Sequence, residues 1–303
     1  MGKSSKIIKK LVVILGPNAS GKSDLAVKIA KLIDGQVISA DSRQVYKGMD
    51  IGSGKVTKKE MSGIPHHLLD IASPKSFFTV TRYRKLALAA INKIHKTGKI
   101  PIICGGTGFY IQSIVDGTVI PEAKPDWSLR KKLQGLPPEK LFKMLEKIDP
   151  RRAATIESQN PRRLIRAIEI VKITKKPVPE IKKDPLPYPI LMLGVKKSDR
   201  ELKNLISKRT KKRIKSGMIA EVKNLKKTGL SWNKLESFGL EYRAVAKFLQ
   251  NKIDREQMIE TIMKEDWQYA KRQMNWFSKD KRIRWIKNTI QAHKLVKKYL
   301  TIK

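Results

Sequence analysis

The sequence has a single cysteine, Cys104, and only four histidines among its 303 residues. One thiol cannot form an internal disulfide, and scattered histidines without a second cysteine do not make a zinc-binding pattern. We therefore expect a cytoplasmic protein with neither a disulfide framework nor a structural zinc site. Cys104 lies in an apolar run and is expected to be a small core residue.

Long apolar runs are also missing, because none reaches the ~18 residues that a membrane-spanning helix requires. The N-terminal stretch is basic and then apolar, as in a signal peptide. Its apolar part is short, however, and runs into Gly16 without a small-residue cleavage pattern. A buried first strand is the better interpretation, and we expect no membrane association.

Acidic residues are scarce: 27 Asp and Glu stand against 66 Lys and Arg, which gives a formal net charge of +39. Such an excess favours a polyanionic partner, although a general lysine bias would look similar. The cations are spread along the chain rather than gathered in a tail, so we expect a folded basic surface that binds nucleic acid.

Short apolar runs alternate with helical patterns in the first third of the chain. Residues 10–15, 36–40 and 100–104 are predicted to be buried strands, and apolar residues recur at helical spacing between 80 and 94. A further strand is predicted at 190–195. This alternation predicts an α/β fold, with a P-loop parallel sheet flanked by helices.

The composition changes after residue 116, where the chain becomes polar and rich in proline up to about residue 189. We interpret residues 117–189 as a small helical insertion domain. Residues 1–116 and 190–303 would then form a discontinuous catalytic core.

A phosphate-binding loop, G-x-x-x-x-G-K-[ST], follows the first predicted strand and opens the first predicted helix, the context that makes this motif credible. Its backbone N–H groups and the helix N-terminus attract an anion, Lys22 adds a point charge, and Ser23 can ligate Mg²⁺. The motif indicates ATP, GTP or another diphosphate. The residues expected to bind it are Gly16, Asn18, Ala19, Ser20, Gly21, Lys22 and Ser23.

Two more loops follow predicted strands, at the edge where open parallel sheets bind their ligands. Asp41 is placed there to be a magnesium ligand, a general base or only the N-cap of a helix. The other loop contains three glycines, Gly105, Gly106 and Gly108. They either admit a ligand close to the backbone or form a plain turn, and Thr107 between them offers a hydroxyl.

Two basic segments have the spacing of nucleic-acid contacts. Residues 161–169 begin a helix at Pro161 with arginines beside an apolar stripe, and residues 271–277 interleave cations with aromatic rings. The alternatives are a solvated basic face and an amphipathic core helix. His66 and His67 are expected to be a structural pair, because no further metal ligands flank them.

Six segments, taken in order, resemble the bacterial tRNA dimethylallyltransferase (isopentenyltransferase) family over nearly the whole chain. The second segment is long and specific. The segments are residues 16–23, 41–52, 66–71, 105–110, 162–169 and 271–277.

The resemblance implies transfer of a dimethylallyl group from dimethylallyl diphosphate, bound with Mg²⁺ on the phosphate loop, to N6 of the adenosine 3′ to the anticodon. The adenosine would be flipped into a channel, and the insertion domain would contact the tRNA. By resemblance Asp41 is the general base, Thr107 positions substrate and Arg209 grips the diphosphate. The residues implied to contact the tRNA anticodon stem-loop are Asp41, Ser42, Arg43, Gln44, Arg162, Arg163, Leu164, Ile165, Arg166, Lys271, Arg272, Gln273, Asn275 and Trp276.

The chain departs from the family's usual pattern at a few positions. Asn18 stands where Thr is common, and Ser278 stands where Arg is common. Leu240 and Glu241 are two additional residues inside what is usually Gly-Tyr-Lys/Arg.

Two other functions compete with prenyl transfer. The phosphate loop alone permits an ATP-dependent kinase of a small molecule or nucleoside, which would not need the basic helical half. The second competing function is that of a basic RNA-binding protein without catalytic activity. The six segments and the charge together favour the prenyltransferase. We expect a monomer, because one face for tRNA is sufficient.

Overall fold

The structure is a computed structural model that describes residues 9–118, 123, 125–180 and 183–301. Its strands are β1 (Leu11–Leu15), β2 (Gly35–Ser39), β3 (His66–His67), β4 (Ile100–Gly105), β5 (Ile190–Val195) and β6 (Ile283–Ile286). They form one parallel sheet in the order β3-β2-β4-β1-β5-β6. The predicted α/β fold and its four predicted strands are confirmed, whereas β3 and β6 were not predicted.

The described residues divide into two units. The larger unit holds the sheet and runs up to Asp116 and again from Pro185, and the smaller is Gly117–Asp184. The helices of the larger unit are α1 (Lys22–Leu32), α2 (Lys58–Met61), α3 (Val80–Lys96), α4 (Gly108–Val115), α9 (Asp199–Lys215), α10 (Met218–Lys227), α11 (Trp232–Ser237), α12 (Leu240–Leu249), α13 (Arg255–Phe277) and α14 (Thr289–Thr301). Those of the smaller unit are α5 (Trp127–Gln134), α6 (Pro138–Ile148), α7 (Pro150–Ala153) and α8 (Pro161–Thr174).

The central strand β1 is buried along its whole length because helices cover both faces of the sheet. Side chains alternate along a strand, so Val13 and Leu15 pack with α3 and α4, and Val12 and Ile14 pack with α1 and α14. A further apolar cluster joins helices α10 to α13. The parallel strands direct their carboxyl ends, and the loops that follow them, to one edge of the sheet.

The smaller unit has its own apolar core, in which Leu141, Leu145 and Leu164 are fully buried. Glu169 is buried in the same unit. Its two carboxylate oxygens accept hydrogen bonds from Nε and Nη2 of Arg130, each at 2.7 Å. Residues 185–189 lie with the larger unit rather than with the insertion, since Tyr188 packs on its core. Within the described residues, no helix is long and apolar enough to cross a membrane.

Candidate active site

The glycine-rich loop, residues 16–23, connects β1 to the N-terminus of α1. Gly16 passes so close to β5 that a Cβ there would lie 2.9 Å from the carbonyl oxygen of Val195. Gly21 has a φ of +85°, which favours glycine. Ser20 is buried, and its hydroxyl has no hydrogen-bond partner among the described residues. An unpaired buried hydroxyl is costly, so the loop is built to receive a polar ligand.

This loop borders a cavity of about 170 Å³, here called the inner cavity. Residues 18–23 form one wall, and Asp41, Gln44, Arg209 and Arg213 complete it from other elements. The structure therefore brings together the predicted loop residues, Asp41 and Arg209, which are far apart in the sequence. Arg213 was not predicted.

The inner cavity concentrates positive charge. Burial lowers the pKa of the Lys22 ammonium, and the nearby Arg209 and Arg213 lower it further, against the opposing effect of Asp41. Lys22 Nζ donates a hydrogen bond to the Pro17 carbonyl at 3.1 Å. A multiply charged anion in this cavity would relieve the repulsion among the three cations.

Asp41 follows β2 in a turn rather than capping a helix. Its Oδ1 accepts hydrogen bonds from the backbone N–H groups of Arg43 at 2.8 Å and Gln44 at 3.3 Å. Oδ2 has no partner within the described residues, so one oxygen holds the turn and the other remains available. This arrangement suits a carboxylate that accepts a proton from substrate.

Thr107 lies beside this turn, because its Oγ1 accepts a hydrogen bond from the Ser42 N–H at 3.1 Å. The hydroxyl of Tyr269 on α13 lies near Thr107 and Asp41. Burial raises the pKa of Tyr269 to about 12, so its hydroxyl stays protonated at neutral pH. Tyr269 was not predicted, since a lone tyrosine on an amphipathic helix gives no signal in the sequence.

Arg209 is anchored from behind by Asp266 of α13. Its Nη2 donates to Asp266 Oδ2 at 2.7 Å, and the Asp266 side chain is almost fully buried. The other carboxylate oxygen accepts a hydrogen bond of 3.4 Å from the Asn18 side chain. Asn18, which stands where the family commonly has Thr, thus connects the glycine-rich loop to the same carboxylate.

Gln273 is buried, and its side chain joins the glycine-rich loop to the loop after β4. Both ends of the amide are thus occupied by protein partners, and contact of Gln273 with tRNA stays a prediction. Its position in a basic and aromatic segment did not reveal which face of α13 it occupies.

A second concave surface, of about 780 Å³, lies on the α4 side of the sheet and is called here the outer groove. Its floor includes Leu15 and Ile111, and its rim includes Arg272, Asn275 and Trp276. Trp276 is 41% exposed. An exposed indole beside cations can stack on an unpaired base, so three of the residues predicted to contact tRNA line a suitable surface.

The other predicted tRNA contacts of the larger unit have protein partners of their own. Arg43 Nε donates to the Phe238 carbonyl at 2.7 Å, and the Gln44 amide donates to the Gly54 carbonyl at 3.1 Å. The Lys271 ammonium lies 5.9 Å from the centre of the Trp267 ring. Contact of these residues with tRNA, like that of Ser42, stays a prediction.

The residues of the smaller unit that are predicted to contact tRNA lie on different faces of helix α8. Arg162 and Arg163 are exposed, whereas Leu164 and Ile165 are buried in the core of this unit. These two apolar side chains hold α8 in place, and contact of Leu164 and Ile165 with tRNA stays a prediction. Arg166 is partly occupied by its ion pair with Glu169.

The two adjacent histidines make hydrogen bonds within the protein and lie in a strand rather than a loop. His66 and His67 form the edge strand β3, and His67 Nε2 hydrogen-bonds to the Gln36 side chain at 2.7 Å. In the part of the chain that the structure describes, no three His, Cys, Asp or Glu side chains cluster as metal ligands. Burial raises the pKa of the Cys104 thiol to about 11, in keeping with a core residue.

Comparison with known proteins assigns this arrangement to a family. The family model for IPP transferase matches residues 44–280. A tRNA dimethylallyltransferase of Carboxydothermus hydrogenoformans is 40% identical over 302 residues, 97% of either chain. One of Pelotomaculum thermopropionicum is 40% identical over 284 residues, 91% of this chain and 90% of its own length.

Solved structures agree with the sequence relatives. The tRNA isopentenylpyrophosphate transferase of Bacillus halodurans has a TM-score of 0.73 and 34% identity, covering 96% of this chain and 97% of its own. A eukaryotic dimethylallyltransferase acting on tRNA has a TM-score of 0.74 and 30% identity, covering 89% of this chain and 70% of its own. The resemblance inferred from the sequence is confirmed, and the chain belongs to the IPP transferase family.

Proposed function

We propose that this chain transfers the dimethylallyl group of dimethylallyl diphosphate to N6 of the adenosine 3′ to the anticodon of a tRNA, giving N6-isopentenyladenosine. One observation carries the proposal: Asp41, a carboxylate with one unpartnered oxygen, faces the same small cavity as Lys22 and Arg209. A proton acceptor and a diphosphate site therefore adjoin. The relatives named tRNA dimethylallyltransferase support the same reaction.

The reaction breaks the bond between C1 of the allyl group and the diphosphate oxygen, and forms a bond between N6 and C1. The diphosphate leaves with the electron pair, and one N6 proton passes to Asp41 Oδ2. An exocyclic adenine amine is a weak nucleophile, so a positioned carboxylate assists its attack. Lys22, Arg209 and the loop amides stabilise the charge that grows on the leaving diphosphate.

The residues present fit a bound Mg²⁺. Ser23 lines the inner cavity, and Mg²⁺ usually takes one or two protein ligands together with phosphate oxygens and water. Ser23 would hold the ion against the diphosphate, where it would help to neutralise the leaving group. The Thr107 hydroxyl, fixed by the Ser42 N–H, positions the adenine side of the site.

The tRNA is proposed to approach over the outer groove. Gly108 lines this groove and Gly105 lines the inner cavity, so one loop borders both surfaces. A base unstacked from the anticodon loop can lie on Trp276 while Arg272 takes a phosphate. The net charge of +39 supports the long-range attraction. A monomer in the cytoplasm remains the expectation for this enzyme.

A transfer assay tests the proposal. The full chain, Mg²⁺ and labelled dimethylallyl diphosphate are mixed with an anticodon stem-loop carrying the target adenosine, and ATP is supplied as donor in a parallel reaction. We expect label on the RNA that disappears when the adenosine is replaced by guanosine. ATP consumption without prenyl transfer would instead support a kinase and refute the proposal.

A further inference from the structure

We propose that a basic and aromatic surface beside the Asp41 turn binds the single-stranded RNA next to the target adenosine. The inference rests on the proposed function for the identity of that RNA. The residues involved lie outside the six segments that resemble the family, so the resemblance assigns them no role. This surface, here called the lysine–aromatic surface, consists of Lys75, Phe77, Arg82, Lys226, Trp232 and Lys234.

Two segments of the larger unit meet to form the lysine–aromatic surface. One is the end of the loop before α3, residues 73–79, and the other is the turn between α10 and α11, residues 228–231. Lys234 Nζ on α11 donates a hydrogen bond of 3.4 Å to the Ser76 carbonyl. A Cβ at Gly229 would lie 3.7 Å from Lys75 Nζ. The cations and rings of both segments therefore share one surface.

Aromatic rings hold three of the cations in place. The distances from cation to ring centre are 3.7 Å for Lys234 and Phe77, 5.2 Å for Lys226 and Trp232, and 5.2 Å for Arg82 and Phe78. Attraction between a cation and the face of a ring restrains these long side chains. Their charges are consequently presented at defined places, which lowers the entropic cost of binding a phosphate.

Phe77 is the most exposed ring of this surface, with 52% of its area accessible to solvent. Proteins that bind single strands stack bases on exposed rings while nearby cations take the phosphates. Bases in a duplex are stacked on one another, so a duplex gains little from such a ring. The combination of ring and cations therefore favours a single strand.

The lysine–aromatic surface has no compensating negative charge. Residues 71–115 and 222–235, which supply all of its side chains, contain no Asp or Glu. Its four cations form no ion pair with any described residue. Cations that are not neutralised locally attract a polyanion. The polyanion that the proposed function brings to this edge of the sheet is RNA.

Arg43 connects this surface to the Asp41 turn. Its backbone N–H donates to Asp41 Oδ1 at 2.8 Å, and its Nε donates to the Phe238 carbonyl at 2.7 Å. The centre of the Phe238 ring lies 5.9 Å from the Arg43 guanidinium and 5.4 Å from the Lys234 ammonium. An RNA strand whose target N6 lies at Asp41 would thus place a neighbouring nucleotide over Lys234 and Phe77.

The environment of Lys234 also suits an anion. Burial lowers the pKa of its ammonium, and the nearby Arg43 lowers it further. A phosphate between the two cations would favour the charged ammonium and relieve their repulsion.

The competing explanation is that Lys234 only fastens the loop before α3 to α11, through its hydrogen bond to Ser76. In that case Lys75 and Phe77 would be dispensable for RNA affinity. Lys75 is exposed, and its ammonium makes no hydrogen bond or ion pair with a described residue. Its replacement therefore tests the surface without disturbing the fold.

Fluorescence anisotropy of a labelled anticodon stem-loop, titrated with the full chain at several salt concentrations, separates these explanations. Lys75→Met is expected to reduce the slope of log affinity against log salt by about 0.7, the loss of one single-strand phosphate contact. Phe77→Ala should weaken binding about 5- to 150-fold through lost base stacking, with little change in that slope. The controls are Lys96→Met, an exposed cation at the far end of α3, and Ile290→Ala, an exposed apolar side chain on α14; both should bind as the wild type does.

The form of the RNA decides what the surface binds. Lys75→Met and Phe77→Ala should also bind an isolated loop oligonucleotide more weakly than the wild type does, and should bind the stem alone, as a duplex, with unchanged affinity. A loss confined to the stem duplex would overturn the inference. Wild-type affinity and salt slope in both variants would overturn it as well.

The transfer assay tells the two proposals apart. Lys75→Met should raise the KM for the stem-loop and leave the KM for dimethylallyl diphosphate unchanged, because Lys75 does not line the inner cavity. If the wild type prenylates the stem-loop and both variants keep its KM for RNA, only the inference fails. If both variants bind the stem-loop weakly but the wild type does not prenylate it, the surface stands and the proposed function fails.

Discussion

Gln273 Oε1 accepts a hydrogen bond of 2.8 Å from the backbone N–H of Asn18, 255 positions earlier in the sequence. The amide of the same side chain donates to the Gly106 carbonyl at 2.8 Å. One residue of α13 therefore sets the spacing between the glycine-rich loop and the loop after β4. Since these loops carry the diphosphate and adenine sides of the proposed site, their spacing matters for the reaction.

Gln273→Leu should lower the free energy of unfolding by about 1–3 kcal/mol, because it leaves a buried N–H and a buried carbonyl unpaired. The KM for dimethylallyl diphosphate should rise as the glycine-rich loop loses its support. Gln268→Leu, at an exposed position of the same helix, controls for the substitution itself. Equal thermal denaturation of the two variants would disprove the supporting role.

Asp41→Asn should reduce kcat by about 10²- to 10⁴-fold, the usual contribution of a general base. Asparagine keeps the oxygen that accepts the Arg43 and Gln44 N–H groups, so the turn and the affinity for the anticodon stem-loop should persist. Asp34→Asn removes an exposed carboxylate paired with Lys99 and should leave kcat unchanged. Normal kcat with lost RNA affinity in Asp41→Asn would contradict the assignment of the base.

Gly54→Ala should weaken diphosphate binding because the new methyl group displaces the Arg213 guanidinium. Gly63→Ala is a matched control: both glycines have positive φ, but a Cβ at Gly63 meets nothing within 4 Å. Both variants should lose about 1–2 kcal/mol of stability through backbone strain. Titration with inorganic diphosphate should distinguish them, and equal affinities would show that Gly54 is needed only for the turn.

Arg272→Ala and Trp276→Ala should weaken stem-loop binding in different ways. Loss of a phosphate contact reduces the slope of log affinity against log salt by about 0.7–1. Loss of base stacking costs about 1–3 kcal/mol with little change in that slope. Lys297→Ala, an exposed cation on α14 and thus on the opposite face of the sheet, is the control. Identical salt slopes for the wild type and Arg272→Ala would argue against a phosphate contact.

The insertion unit should lose stability in acid through Glu169. Burial favours a higher pKa, but hydrogen bonds from Arg130, Arg166 and the Asp126 N–H outweigh it and hold the pKa below its usual value of 4.5. A carboxylate with a lowered pKa in the folded state stabilises the fold above its unfolded pKa. That contribution is lost as the pH falls through the folded value.

Glu169→Gln should remove about 3–5 kcal/mol from this unit already at neutral pH, because it breaks a buried ion pair. Amide hydrogen exchange of residues 125–180 from neutral to acidic pH measures both effects. Glu146→Gln, exposed on α6, should exchange as the wild type does. Equal protection of residues 125–180 in the Glu169→Gln variant and the wild type would refute this role.

The sequence predicted the local features of the site well and the long-range ones poorly. Patterns within about 20 residues were enough to predict the glycine-rich loop and the strands before Asp41 and Thr107, because interactions between residues close in sequence determine such local structure. The ion pair between Arg213 and Glu241 joins residues that only the fold brings together. The traces of this ion pair in the sequence are Gly52, Gly54 and the additional residue Glu241. None of them indicates that Glu241 pairs with Arg213.

Three residues predicted to contact tRNA are buried, and their burial has a common physical origin. Leu164, Ile165 and Gln273 were assigned to tRNA because whole segments resembled contacting segments. A helix presents only part of a segment to any partner, and the remaining residues pack inward. For Leu164 and Ile165 the apolar stripe already indicated the buried face; for Gln273, a polar residue, the sequence gave no such indication.

The buried Lys22 couples donor binding to the proton concentration of the solvent. Its pKa is lowered in the free cavity, and an incoming diphosphate favours the charged ammonium and raises that pKa again. At any pH that partly deprotonates the ammonium of the free protein, binding therefore takes up protons, and release of the diphosphate product returns them. In that pH range the heat of binding depends on the ionisation enthalpy of the buffer, and turnover includes a proton cycle at the glycine-rich loop, separate from the proton taken from adenine.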